Sequence, residues 1–260
     1  MYLAKTCKAC FVAIITLSVV AATASAGIVY QDSFNRNGNL AGTAPDVVNT
    51  GGNLWQMAQG GTYSTNGSSA NNGGFYGSIY LPVNGGSGVI MDGTSDFTLS
   101  VTVNGSAGPH MGIALNTAVY AGGDMWAGNN DPQGKILAAL GVNTSGQTTA
   151  TYDNGTLYAI NGNAFGLSTT TTLTMSYNAA TDILTYTAGA TTIATQSVSQ
   201  AQIAALTYVS IDNGAYASNS GTFTNFTLDV AAVPEPASIC LLIGGLGALF
   251  VTRRPRLAGV

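Results

Sequence analysis

"FTLSVTV", Phe97 to Val103, puts an apolar residue at every second position: Phe97, Leu99, Val101 and Val103 alternate with Thr98, Ser100 and Thr102. Successive side chains of a strand point to opposite faces, so this pattern predicts a strand with one face buried and the other in water. The wet face carries hydroxyls rather than charges, and threonine's β-branch itself favours extended backbone.

The same pattern recurs in both directions. Short apolar or β-branched runs predict strands at Ile28–Tyr30, Leu54–Met57, Phe75–Leu81, Met111–Leu115, Ile136–Val142 and Leu157–Ile160, then at Thr172–Tyr177, Ile183–Tyr186, Thr192–Val198, Tyr208–Ile211 and Phe223–Val230. Gly, Asn and Asp separate them, and Asn154-Gly155 and Asn213-Gly214 read as turns because these residues tolerate positive φ. The last run, "FTNFTLDV", is less regular than the others. "SQAQIAAL", Ser199 to Leu206, is the one helical turn, with Ser199 as its cap. A dozen strands over about 200 residues fit an all-β, antiparallel two-sheet sandwich better than a small barrel, and no fixed-period repeat points to a solenoid.

Composition agrees with a folded domain and narrows its partners. Of the 260 residues 46% are hydrophobic, enough for a core, but only 7% are charged. Lys5 and Lys8 lie near the start and Arg253, Arg254 and Arg256 near the end, so the long middle region keeps two bases, Arg36 and Lys135, against all eleven acids, a formal charge of −9. That balance excludes nucleic acid and anionic membrane surfaces, which require clustered Lys and Arg. Cys7, Cys10 and Cys240 all fall in the terminal segments, so residues 27–232 have no cysteine and no disulfide framework.

The two ends read as addresses. Lys5 and Lys8, an apolar run from Phe11 to Ala22, and Ala24-Ser25-Ala26 have the order of a secretory signal peptide spanning residues 1–26, with Ala24 and Ala26 as the small residues at the cleavage site. Residues 27–232 then form the exported domain. At the other end, Val233-Pro234-Glu235-Pro236 precedes the uncharged stretch Ala237–Thr252 and the arginines that follow it. Sixteen residues reach about 24 Å as a helix, slightly short of a ~30 Å hydrocarbon core, which thinning and flanking anchors accommodate. The arginines are expected to hold the C-terminus in the cytoplasm. Two prolines around Glu235 keep that segment extended and open to a protease.

In this three-part order, residues 233–260 resemble the PEP-CTERM sorting signal of Gram-negative bacteria that make extracellular polysaccharide. The resemblance implies a membrane helix in transit, recognition by an exosortase, processing near Pro-Glu-Pro, and a final place at the cell surface or outside the cell. Pro255 within the basic cluster and the extra residues Leu257–Val260 depart slightly from the pattern.

The middle region resembles a second family. "YQDSFNRNGNLAGTAPD" (Tyr30–Asp46), "NLWQ" (Asn53–Gln56), "DFTLSVTVNG" (Asp96–Gly105), "HMGIALN" (His110–Asn116) and "YVSIDNG" followed by "GTFTNFTLDV" (Tyr208–Gly214, Gly221–Val230) are similar to the concanavalin A-like, laminin-G-type jelly roll. Its landmarks here are Asp32, Phe34 and Arg36, Trp55, the Phe97 strand, the helical turn and Phe226. Glycosidases on this fold use paired carboxylates, typically two glutamates, and the domain has no glutamate before Glu235. No G-x-S-x-G or H-E-x-x-H occurs, and His110 is the sole histidine, so no catalytic residues are assigned and the domain reads as non-enzymatic.

Calcium is the cofactor that such a chain would take, since hard oxygen ligands suit it. In related sandwiches an ion joins the first and last strands, which would implicate Asp32 and Asp229; Asp124 and Asp131, in "GGDMWAGNNDPQG", form a second candidate set. Solvated turn aspartates are the other reading of all four. Trp126 and Tyr120 are candidate ligand contacts, because an aromatic face beside amides and carboxylates holds a sugar well. These readings leave two expectations: a surface or matrix protein associated with exopolysaccharide, or a calcium-assisted, lectin-like module.

Overall fold

A computed structural model describes residues 26–49, 53–57, 62–73, 76–85, 88–104, 110–119, 135–142, 147–153, 157–164, 170–214 and 221–231. All belong to one folded unit, Ser25–Val233. In chain order its strands are β1 (Ala26–Asp32), β2 (Asn37–Asn39), β3 (Val47–Val48), β4 (Gln56–Met57), β5 (Tyr63–Asn66), β6 (Ala70–Asn72), β7 (Tyr76–Pro82), β8 (Asn84–Gly85), β9 (Gly88–Val89) and β10 (Phe97–Asn104). They continue as β11 (His110–Asn116), β12 (Ile136–Val142), β13 (Gln147–Asp153), β14 (Leu157–Ala164), β15 (Thr170–Asn178), β16 (Ile183–Ala188) and β17 (Thr191–Ser197); after helix α1 (Gln200–Ala204) come β18 (Tyr208–Gly214) and β19 (Thr222–Ala231).

The strands form two large sheets. The first runs β17-β16-β15-β10-β19-β6-β5-β2, with β1 added along β19 and β3 along β1; the second runs β14-β13-β12-β11-β18-β7-β4. Strands consecutive in the chain, such as β10 and β11 or β18 and β19, lie in different sheets, so the chain crosses repeatedly between two layers. Every pairing is antiparallel. The result is an antiparallel β-sandwich with one short helix.

Strand β10 shows why. Its burial alternates from Phe97 to Asn104 as its sequence does, with Phe97, Leu99, Val101 and Val103 inside. These side chains meet Leu173, Met175, Phe226 and Leu228 of their own sheet and Ile113, Leu115, Val209 and Ile211 of the other in one buried cluster. Each such side chain contributes about 1.5–3 kcal/mol when taken from water, so the shared cluster holds the two layers together. Phe97 stacks on Tyr177 with centroids 5.5 Å apart, adding a specific cross-strand contact.

The irregular run "FTNFTLDV" has a local cause. The register between β10 and β19 shifts after Ser100, and Asn225 adopts φ 51°. An extra residue there restores inward pointing for both Phe223 and Phe226. One turn assignment is corrected: Asn213-Gly214 is the end of β18, paired with β11 on one side and β7 on the other. Hydrogen bonding on both edges overrides the turn preference of that dipeptide. Asn154-Gly155 lies outside the described residues.

Helix α1 carries the chain from the first sheet to the second. Ser199 caps it in a reciprocal box: Gln202 N donates to Ser199 Oγ at 3.3 Å and Ser199 N donates to Gln202 Oε1 at 3.0 Å. Ile203 buries its apolar side in the core. Among the described residues no helix is long and apolar enough to cross a membrane; the stretch Ala237–Thr252 lies outside them.

Candidate functional site

Asp32 ends β1 with its side chain inside the sandwich and wholly buried. Arg36, four residues later, grips it with both terminal nitrogens, Nη1 donating to Oδ1 at 2.9 Å and Nη2 to Oδ2 at 2.6 Å. Phe34 N donates to Oδ1 at 2.8 Å and Trp55 Nε1 to Oδ2 at 2.7 Å. The chain turns back at Phe34, φ 57°, which lets Arg36 face its partner. Asp46 closes the outer side, accepting from the backbone and hydroxyl of Ser33 and, at 3.5 Å, from Arg36. Burial raises the Asp46 pKa, but those hydrogen bonds and the Arg36 charge outweigh it, so the carboxyl titrates below its ordinary value.

This geometry corrects the proposed calcium pair. A carboxylate has about four acceptor positions, and Asp32 uses four on nitrogen donors, one of them a cation. Asp229 lies on the opposite face: Asp32 pairs with inward-pointing Phe226, while Asp229 pairs with exposed Ile28, three positions further along β19. The residues therefore do not fit a shared ion. Among the described residues no group of three or more His, Cys, Asp or Glu could hold a metal.

Burial alone pushes the Asp229 carboxyl above its ordinary value. The fold thus disfavours its charged form, and stability should fall as pH rises from the unfolded-state value, about 3.9, through the raised one. Asp229→Asn is expected to flatten that slope and to leave the melting temperature at neutral pH equal to or above the parent's. Melting curves from mildly acidic to neutral pH check this, and a variant less stable at every pH would contradict it.

The second sheet holds a polar cluster that the sequence did not reveal. On its outer face Ser78 of β7 donates to Asp212 of β18 at 2.7 Å, and Asn116 Nδ2 of β11 donates to Ser210 Oγ at 2.8 Å. Asn116 Oδ1 is buried with no hydrogen-bond partner among the described residues. Tyr80 meets Tyr208 edge to face at 5.8 Å, and Tyr80, Ala114, Ile136 and Ala139 form a small buried cluster with Val119 packed against it. Gly112 and Gly141 share the row of Asp212. Through the sheet, burial foremost and then the charge of Asp212 raise the pKa of inward-facing Tyr63.

These residues come from strands far apart in sequence, and only the strand order makes them neighbours. Ser78, Tyr80, Asn116, Ser210 and Asp212 are all buried, so these side chains are not open to a ligand in the structure as it stands. Thr117 N, just after β11, donates to Lys135 O, just before β12, at 2.8 Å; Tyr120, Asp124, Trp126 and Asp131 fall between these two positions in the sequence. Those four residues lie outside the described ones, as do Ala24, the motif Val233, Pro234, Glu235, Pro236, and the basic stop Arg253, Arg254, Arg256. Ala26 opens β1, paired with Ala231.

Comparison with known proteins adds one assignment and one likeness. The PEP-CTERM protein-sorting motif matches residues 232–256, which implies export and exosortase processing toward the cell surface. No curated protein matches the chain in sequence. Among solved structures, a Trypanosoma rangeli sialidase in complex with the inhibitor DANA superposes with a TM-score of 0.53 and 17% identity, over 80% of this chain and 31% of that one. The globular domain of Trypanosoma cruzi calreticulin gives 0.47 and 10%, over 85% and 95%. Galectin LEC-6 of Caenorhabditis elegans gives 0.38 and 13%, over 57% and 88%. At such identities the sialidase likeness concerns the fold alone, and the chain spans 31% of that enzyme's length.

Proposed function

We propose that this chain is an exported surface or extracellular-matrix protein of a Gram-negative bacterium, processed by an exosortase and structural or associated with exopolysaccharide. The sorting motif at residues 232–256 carries the reading. On it, residues 1–26 are a signal peptide, residues 27–232 the exported sandwich, and 233–260 the sorting signal, with Ala237–Thr252 as a membrane helix before processing. On this reading the sandwich is non-enzymatic: the buried carboxylate Asp32 is spent on Arg36 and Trp55, and the domain has no glutamate for the acid pair that glycosidases on such folds use.

The lectin-like alternative has the polar rows of the second sheet in its favour and their burial against it. A calcium requirement would rest on Asp124 and Asp131, since Asp32 has no acceptor position to offer. Changing Pro234-Glu235-Pro236 to alanines tests the main reading. Cleavage near the motif is expected to be lost, with full-length chain accumulating in the inner membrane, as seen by size on a blot of fractionated cells. A mutant processed like the parent would reduce the tail to an ordinary anchor.

A further inference from the structure

The outer face of the first sheet is open, and its chemistry is uniform. Register across β19, β10, β15, β16 and β17 places Asp229, Thr98, Ser176, Thr185 and Thr195 in one row. The next row is Thr227, Ser100, Thr174, Thr187 and Thr192, and a shorter third is Thr224, Thr102 and Thr172. All these side chains are half-buried or exposed. The aromatic residues of the same strands, Phe97, Tyr177, Tyr186 and Phe226, point inward.

We propose that this hydroxyl face is a docking surface for a neutral polysaccharide; the proposal rests on the matrix-associated reading above and names its ligand class. Strand geometry spaces the hydroxyls about 4.8 Å apart across strands and about 6.7 Å along them, a two-dimensional array of donors and acceptors with methyl groups between. Thr102 and Thr172 already share a hydrogen bond at 3.0 Å, and Thr98 and Ser176 approach to 3.4 Å, so the side chains are partly ordered before a ligand arrives.

Charge selects the ligand. No Lys, Arg or His stands in the three rows and Asp229 is their one acid, while residues 27–232 carry a formal −8 from two bases and ten acids. A uronate or sulfated polymer would find no cation here and a repelling domain behind. A neutral glycan loses nothing, because its hydroxyls exchange water for threonine at little net cost. Strand propensity accounts for threonine over alanine at these positions. Single contacts are weak, and binding accumulates over rows of hydroxyls and a polymer long enough to engage many copies of the protein.

The test uses the processed protein recovered from expressing cells, sedimented with particles of a neutral β-glucan or with alginate beads. The wild type is expected to sediment with the glucan and not with alginate, unchanged by EGTA or by raised salt. Thr174→Lys with Thr187→Lys should weaken glucan binding about tenfold or more, roughly 1.4 kcal/mol, and should create salt-sensitive alginate binding. Thr185→Lys with Thr195→Lys repeats the test on the neighbouring row should the first pair fail to fold. Glucan binding as tight in both variants as in the wild type overturns the proposal, as does wild-type binding to alginate, or a change confined to self-association in sedimentation velocity. Wild type and variants alike in the cells' matrix fraction would remove this face as the contact and leave the matrix reading intact. Wild-type protein absent from both envelope and matrix would overturn that reading itself.

Discussion

Asp32→Ala is expected to lower the unfolding free energy by about 3–5 kcal/mol, read as a shift of the urea midpoint at constant m. The cost comes from what is left behind. Arg36, with 23% of its side chain exposed, loses its two-pronged partner and keeps only Asp46 at 3.5 Å, and among the described residues its Nε is already buried without a hydrogen-bond partner. Trp55 Nε1 and Phe34 N lose their acceptor in the same step. Trp55 is wedged between Phe34 and Phe226, with centroids 6.1 and 5.1 Å away, so its indole cannot turn toward water without disturbing the inner face. Trp55→Phe keeps most of that packing and removes one donor, so its loss should be smaller, about 1–2 kcal/mol. An Asp32→Ala protein with the parent's midpoint would mean that the network is not a structural staple. Added calcium or EGTA should leave the parent's midpoint unchanged as far as Asp32 is concerned.

The same residue shows what the sequence could and could not convey. Asp32, Phe34 and Arg36 stood out as landmarks, yet the aspartate read as either a candidate ion ligand or a solvated turn residue, because nothing in a linear spacing says that the chain reverses at Phe34. Strands with alternating apolar positions, β10 and β16 above all, were legible because burial of one face writes itself into the pattern. Strands β2, β6 and β13 were not: "NGN", "ANN" and "QTTATYD" carry little apolar alternation, and they are extended because neighbours offer paired hydrogen bonds. The capping box at Ser199 was legible as a local signal satisfied locally. Ser78, Asn116, Ser210 and Asp212 were invisible as a cluster, since their adjacency depends on the order β11-β18-β7. The sorting motif was readable for the opposite reason, being contiguous and recognised as a segment.

Gly93→Ala is expected to cost about 2–5 kcal/mol, and a second glycine separates the causes. Gly93 lies in the connection from β9 to β10 with φ 83°, and a Cβ there would sit 2.2 Å from Gln200 O and 2.8 Å from Gln200 C, backbone atoms in the first turn of α1. An L-residue in the left-handed region costs about 1–2 kcal/mol, and overpacking against a fixed neighbour about 1–3 more. Neither side yields easily. Asn84 ties the connection to the segment after the helix, donating to Met91 O and Leu206 O at 2.8 Å each and accepting from Ile90 N and Met91 N at 2.9 Å. Gln200 is held in turn by its Nε2, which donates to Ala179 O at 3.1 Å. Gly42 has nearly the same backbone, φ 81°, with nothing within 4 Å of its Cβ position. Gly42→Ala should therefore lose only the conformational part, about 1–2 kcal/mol, and the difference between the two variants measures the contact with α1. Equal losses would show that the helix moves aside freely, and that this connection does not fix its place between the sheets.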